Sequence, residues 1–250
     1  NLARHGRSNA VQIVALSLGG MALLLLTLVR AELMQNWQER LPPDAPNRFM
    51  VNIQPDQRAA VRSFFARHQL AAPEMFPMVR GRLIAINQRS VSADDYIEPN
   101  ARSLVQREFN LSWSEVLPEG NKLAQGEWWG QSGAAELSVE EGIAKNLGIS
   151  LGDRLTYQVA GQSFSATVTS LRKVDWDSFH VNFFVIATPA LLQGYPASYI
   201  TAFHLPAGEE ALLNGMVRAF PNLTVIDVAA LMDQVRAMME RIASTVEFVF

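Results

Sequence analysis

Residues 48–70 read RFMVNIQPDQRAAVRSFFARHQL, and this stretch sets the architecture of the whole domain. Its first seven residues alternate apolar and polar side chains as a strand does. Pro55 and Asp56 then open a helix whose Ala60, Val61, Phe64, Phe65 and His68 recur at three- and four-residue steps along one face. VRGRLIAINQ (79–88) follows as a second strand, completing a βαβ-like unit from about Arg48 to Gln88. The same order returns downstream. VNFFVIATP (181–189) is a continuous apolar run that reads as a strand buried on both faces. SYITAFHLP is another strand, EEALLNGMVRAF a helix and LTVIDV a closing strand, so a second strand–helix–strand group covers about Val181 to Val228. Between the two groups, Arg89 to Ser170 changes character, with short alternating runs, glycine-rich turns, the helical SVEEGIAKNLG, and a β-hairpin turning at Ala160-Gly161. The fold expected is α+β, with 47–88 and 171–227 forming one layer and 89–170 an inserted β-rich subdomain.

Outward from this domain the composition turns apolar. From Ser8 to Val29 no residue is charged, and AVQIVALSLGGMALLLLTLV carries only Gln12, Ser17 and Thr27 as polar side chains. About 20 such residues at ~1.5 Å each cross a bilayer, so this run is expected to span a membrane. Arg4, His5 and Arg7 precede it, whereas Arg30 and Glu32 follow as a balanced pair, which places the N-terminal side in the cytoplasm and the domain outside it. Residues 1–46 thus hold the cytoplasmic end, the span and a first stalk, AELMQNWQERL, striped by Leu33, Trp37 and Leu41. Residues 228–250 form a second amphipathic stalk carrying Val235, Met238, Met239 and Ile242 and heading into a further span. The two stripes are expected to pack on each other. With no initiating methionine and an apolar helical finish, the chain is read as a piece of a longer protein.

A net charge of −3, with Lys and Arg scattered, gives no basic footprint for nucleic acid. The chain has no cysteine, which excludes disulfides and thiolate chemistry. No phosphate-binding GxxxxGK[ST] or GxGxxG occurs. Gly130-Gln131-Ser132-Gly133 lacks the second glycine of a nucleophile elbow and reads as a turn. The histidines His5, His68, His180 and His204 fall in no metal-binding pattern. Glu140-Glu141 and Glu209-Glu210 suit the first turns of helices, where the dipole favours acids. Asp175-Trp176-Asp177 starts like a calcium loop but lacks its glycine and terminal glutamate. No catalytic, metal or cofactor residue is therefore expected. Trp128, Trp129, Trp176 and Phe179 remain as candidates for an apolar surface facing a ligand or partner, against the plainer reading that they fill the core.

Several segments together resemble the FtsX/MacB-type permease subunits of ABC transport systems, closest to the YbbP-like branch. They are NLARHGRSNAVQIVALSLGGMALLLLTLVR, APNRFMVNIQPDQ, GEWW, LSVEEGIAKNLGISLGDRLTYQVAG and VTSLRKVDWDSFHVNFFVI. The LGxxLGDxL element is shared by many such permeases, whereas RKVDWxSxxxNFF is more particular. The resemblance implies a MacB-like periplasmic domain between membrane helices of a bacterial inner-membrane protein, with further transmembrane parts of the same permease on either side. It implies a separate cytoplasmic ATPase, acting as a dimer and binding the ATP this chain does not bind. In this family, ATP-driven dimerisation levers stalks and periplasmic domains, a mode called mechanotransmission; here the lever arms would end near Leu41 and begin near Asp227. The branch is associated with a periplasmic lysophospholipase or thioesterase, which implies handling of lipid-like hydrophobic compounds taken from the membrane. The alternative is a periplasmic scaffold or sensor that recruits such a hydrolase without moving substrate.

Overall fold

A computed structural model describes residues 45–130, 134–206 and 208–228, with isolated helical positions at 17, 20, 21, 230, 231, 234 and 238. Residues from Pro46 onward form one compact unit, and the description concerns that unit. Apart from positions 17, 20 and 21, the span read at 8–29 lies outside the described residues, as does the first stalk; among the described residues no helix is long and apolar enough to cross a membrane. The fold is α+β and rich in sheet.

The opening stretch folds as its pattern dictates. Strand β1 (Arg48–Ile53) leads through a 3-10 turn at Pro55–Gln57 into helix α1 (Arg58–Arg67), then into the long strand β2 (Phe76–Ile86). Near the far end, β10 (Ser198–Phe203), helix α5 (Glu210–Ala219) and β11 (Thr224–Asp227) repeat the unit. The two units interleave, because β1 pairs antiparallel with both β10 and β11, and β10 pairs antiparallel with β2. The resulting order β11-β1-β10-β2 is that of a split βαβ, ferredoxin-like layer. Val61, Phe64 and Phe65 of α1 and Leu212 and Met216 of α5 pack on Met50, Ile53, Tyr199 and Phe203 of the sheet, so both helices lie over one shared core.

The segment between these units closes on itself. The intervening elements are β3 (Arg89–Ser90), α2 (Pro99–Gln106), β4 (Phe109–Trp113), β5 (Asn121–Gly126), β6 (Glu136–Glu140), α3 (Glu141–Leu147), β7 (Arg154–Val159), β8 (Gln162–Val174), β9 (Val185–Ala187) and α4 (Pro189–Leu192). Six strands pair in a ring: β2 with β4, β4 with β9, β9 with β6, β6 with β8, β8 with β7, and β7 back to β2. Closure removes free edges from those strands and gives the segment its own core of Val79, Leu83, Leu111, Leu137, Leu155 and Tyr157. Helices α2 and α3 contribute Leu104, Val105, Ile143 and Leu147 to that core.

Strand β2 belongs to both halves. Its first residues pair with β10, Val79–Gly81 with β4, and Arg82–Ile86 with β7. Gly81 faces into the ring, where a Cβ would stand 2.7 Å from Leu111 Cδ1 and 3.0 Å from Val159 Cγ2. The hairpin expected at Ala160-Gly161 joins β7 to β8, and the two residues take φ of 47° and 84°, the pair of positive values that a tight two-residue turn with the strands' own twist requires. One element is shorter than its sequence pattern: of the apolar run 181–189 only Val185–Ala187 pairs as a strand, joining β4 and β6 in the ring. Val181 and Phe183 are buried as loop residues instead.

Candidate functional site

The first feature is the root of the domain, where the incoming and outgoing chain meet. Antiparallel pairing of β1 with β11 sets Arg48 opposite Asp227. The Arg48 guanidinium lies 2.8 Å from Asp227 Oδ1, with the arginine mostly buried and the aspartate half-exposed. Asp227 Oδ1 also accepts the Ala230 N–H at 2.8 Å, as an N-cap residue does for the turn that follows it. Asn47 completes the junction. Its side-chain amide donates to Leu205 O at 2.9 Å and accepts from Leu205 N at 2.8 Å, and its carbonyl accepts the Val228 N–H at 3.1 Å. Three chain segments, at 47–48, 205 and 227–230, are thereby tied by directional bonds.

The second feature lies on β8. Arg172 is fully buried, with its Nε 3.0 Å from Ser138 Oγ, one Nη on Asn121 Oδ1 and the other donating to Phe183 O at 2.9 Å and Phe184 O at 3.4 Å. Ser170 donates to the same Ser138 hydroxyl at 2.7 Å, and Asn121 passes the network on to Asn182 at 2.7 Å. Burial brings the Arg172 pKa down to about 10, an effect the Glu140 carboxylate opposes, so the group stays charged at neutral pH. The RKVDWxSxxxNFF segment thus acquires a structural meaning: its arginine holds the carbonyls of its own two phenylalanines. The turn inside the segment is closed by Ser178 Oγ donating to Asp175 O at 2.7 Å and Asp175 N–H donating to Gly120 O at 3.0 Å.

The candidate aromatics fall in two environments. Trp128 and Trp129 follow β5 outside any strand, their rings 3.9 Å apart. Their indole N–H groups donate to Glu115 O at 3.0 Å and Ser114 O at 2.9 Å. Trp129 is buried with Met78, Val181, Phe183 and Ile186, against Phe49, Phe76 and Ile200 of the ferredoxin-like sheet, so this pair fills the seam between the two halves. Trp176 is 46% exposed and its ring packs at a tilt of 47° against Phe184, centroids 4.7 Å apart. Phe179 is half-buried with a φ of 55°. Of the stalk residues, Met238 is helical and exposed; Leu33, Trp37, Leu41, Val235, Met239 and Ile242 lie outside the described residues, as does Ser132.

Other expectations can be placed. Glu140 caps α3, its carboxylate accepting the Ile143 N–H at 2.8 Å. His68 is held by its Nδ1 2.8 Å from Phe64 O, its ring packed on Phe64. Sequence reasoning missed the roles of Arg48, Asp227 and Arg172. The signal for Arg172 was available, since it shares the inward parity of Phe164, Ala166, Val168, Ser170 and Val174 along β8.

The described residues bring together a tied root and a buried arginine network, and the chain is similar to an ABC transporter permease. No protein-family model matches it. The chain is 39% identical over 234 residues, 94% of its length, to the uncharacterized ABC transporter permease YbbP of Escherichia coli K12. It spans 28% of that protein's length. The resemblance to ABC transporter permeases drawn from the sequence therefore stands. A crystal structure of a domain from a Porphyromonas gingivalis protein named as a permease aligns over 71% of this chain and 85% of its own, with 11% identity and a TM-score of 0.32.

Proposed function

We propose that this chain is the periplasmic part of an ABC permease, MacB-like in layout and held in a bacterial inner membrane by the flanking helices. On this reading it works by mechanotransmission. A dimeric cytoplasmic ATPase binds and hydrolyses the nucleotide, and the movement reaches the domain through the stalks to act on lipid-like hydrophobic compounds. The chain itself carries no cofactor and performs no catalysis. A periplasmic lysophospholipase or thioesterase is the expected partner on the outer side, and the remaining transmembrane parts of the permease and membrane lipid are the partners below.

The observation that supports this best is the root of the domain. Arg48 and Asp227 are neighbours across one strand pair, so displacement arriving through either chain end is delivered to the same sheet edge. Strand β2 then runs without interruption from that sheet into the ring.

The test is a pair of variants in the full-length permease assembled with its ATPase. Changing Met239 and Ile242 together to Asp places charges in the expected stalk seam, where an unpaired charge is costly. Transport should be lost with ATP binding intact and circular dichroism unchanged. Met239→Leu, which keeps volume and apolarity, should leave transport near the parent level. Full ATP-dependent activity in a folded, assembled double variant overturns the lever. Hydrolase recruitment that is indifferent to ATP would favour the scaffold reading instead.

A further inference from the structure

A cleft of about 690 Å³ opens beside helix α1, within the size range of small-molecule sites. Its carbon walls come from Met75, Pro77, Trp113, Pro196 and Ala197. Its polar groups come from Gln54, Gln193 and Tyr195, and Arg58 is its one charged lining residue.

Arg58 is held in an unusual way. Its guanidinium carbon lies 4.2 Å from the centroid of the Tyr199 ring, and one Nη donates to the Tyr199 hydroxyl at 3.4 Å. Tyr199 is buried in the ferredoxin-like sheet, so the platform under the cation is fixed. The Arg58 Nε is enclosed and has no acceptor. Among the described residues the ion pairs join Arg48, Arg89 and Arg102 to aspartates, and no carboxylate lies within ion-pair distance of Arg58. A half-buried cation stacked on an aromatic face keeps the outward Nη donors that Tyr199 does not take for a planar or tetrahedral anion, and a concave wall without acidic residues adds nothing to neutralise it.

We infer that this cleft is a binding site for a small organic anion: one carboxylate or phosphate group met by Arg58, joined to an apolar body lying along Trp113, Met75 and Pro196. The inference goes beyond the transport reading and does not depend on it, because it concerns binding to the chain at rest, without ATP or a partner.

Isothermal titration of the purified full chain with octanoate, octyl phosphate, octanol and inorganic phosphate tests it. One or both organic anions should saturate a single site, with octanol and inorganic phosphate at least tenfold weaker. Binding by only one of the two anions assigns the head group and supports the site. Arg58→Gln should weaken anion binding at least tenfold, and Arg58→Lys should restore part of it. Gln193→Glu, on the exposed rim, supplies a second variant that leaves the fold alone; its new carboxylate should weaken the same anions several-fold. Octanol or inorganic phosphate binding as tightly as the organic anions overturns the inference. So does unchanged anion affinity in Gln193→Glu and in a folded Arg58→Gln.

Discussion

Ser138 is a small residue with a large expected effect, because its hydroxyl is an acceptor for a buried cation. Ser138 and Arg172 are both fully buried, and Ser138 Oγ receives the Arg172 Nε–H at 3.0 Å and the Ser170 hydroxyl at 2.7 Å. In Ser138→Ala the Nε–H loses its one acceptor among the described residues, a hydrogen bond to a charged group worth about 1.5–3 kcal/mol, and the Ser170 hydroxyl loses a partner worth about 1 kcal/mol. The expected cost is therefore about 2.5–4 kcal/mol, a large share of the roughly 5–15 kcal/mol that holds a domain together. Arg172→Met removes the cation that makes the loss so costly. Two acceptors keep other donors: Ser138 Oγ still takes the Ser170 hydroxyl, and Phe184 O still takes the Glu140 N–H at 2.8 Å. In that background Ser138→Ala should cost only about 1 kcal/mol, so the double-mutant cycle should return a coupling of about 1.5–3 kcal/mol. Urea unfolding of the four proteins, followed by tryptophan fluorescence and circular dichroism with equal slopes, measures it. A coupling under about 0.5 kcal/mol, the level at which independent sites add, would refute the assignment of Arg172 as the organising charge of the ring.

Gly81→Ala should lower stability by about 1–3 kcal/mol in thermal melts, because its methyl would stand 2.7 Å from Leu111 inside a closed ring; an unchanged melting temperature would mean the ring has slack to give. Asp227→Ala should cost about 1–2 kcal/mol by loss of a partly exposed ion pair and a helix cap, and should speed hydrogen exchange at Val228 and Ala230, while Asp227→Asn keeps the cap and loses mainly the ion pair. Burial pushes the Tyr157 phenol well above its ordinary value of 10.0, so the native state keeps a proton that the unfolded chain gives up. The stability advantage of the parent over Tyr157→Phe should therefore be constant below pH 10 and fall as the pH rises beyond it; a phenol that ionises in the folded protein near pH 10 would contradict its burial.

Much of the fold was legible because its two outer units are built from local signals. Alternation in RFMVNIQ, Pro55 and Asp56 at a helix start, and the period of Val61, Phe64 and Phe65 each act over a few residues. The hairpin at Ala160-Gly161 and the acids Glu140-Glu141 at a helix start were legible for the same reason, though the capping bond made by Glu140 was not. The ring was not. Its closure depends on β2 pairing with β7 and on β6 and β9 meeting between β8 and β4, contacts between segments far apart in sequence that no local period encodes. The run VNFFVIATP shows how hydrophobicity alone misleads: Phe183 turns into the seam with Trp129 while Phe184 packs against the ring core, so the run is apolar because a loop is buried on two sides. Among the candidate surface residues, Trp128 and Trp129 carried a size and polarity signal but no direction, and only the tertiary structure turned them toward Ser114 and Glu115. The bond between Arg48 and Asp227 joins positions at opposite ends of the domain, which no motif could have paired.

That bond has a mechanical corollary. Strands β1 and β11 run antiparallel, and the chain enters one and leaves the other at the same end of the pair. Forces that part the two ends would open this pair like a zip, one rung at a time from Arg48–Asp227 inward to Val51–Thr224, and a zip yields to far smaller loads than strands slid lengthwise against each other. Forces that move both ends together load no rung at all and pass whole into the sheet. This strand pair is thus weaker to opposed than to shared displacement of its two ends.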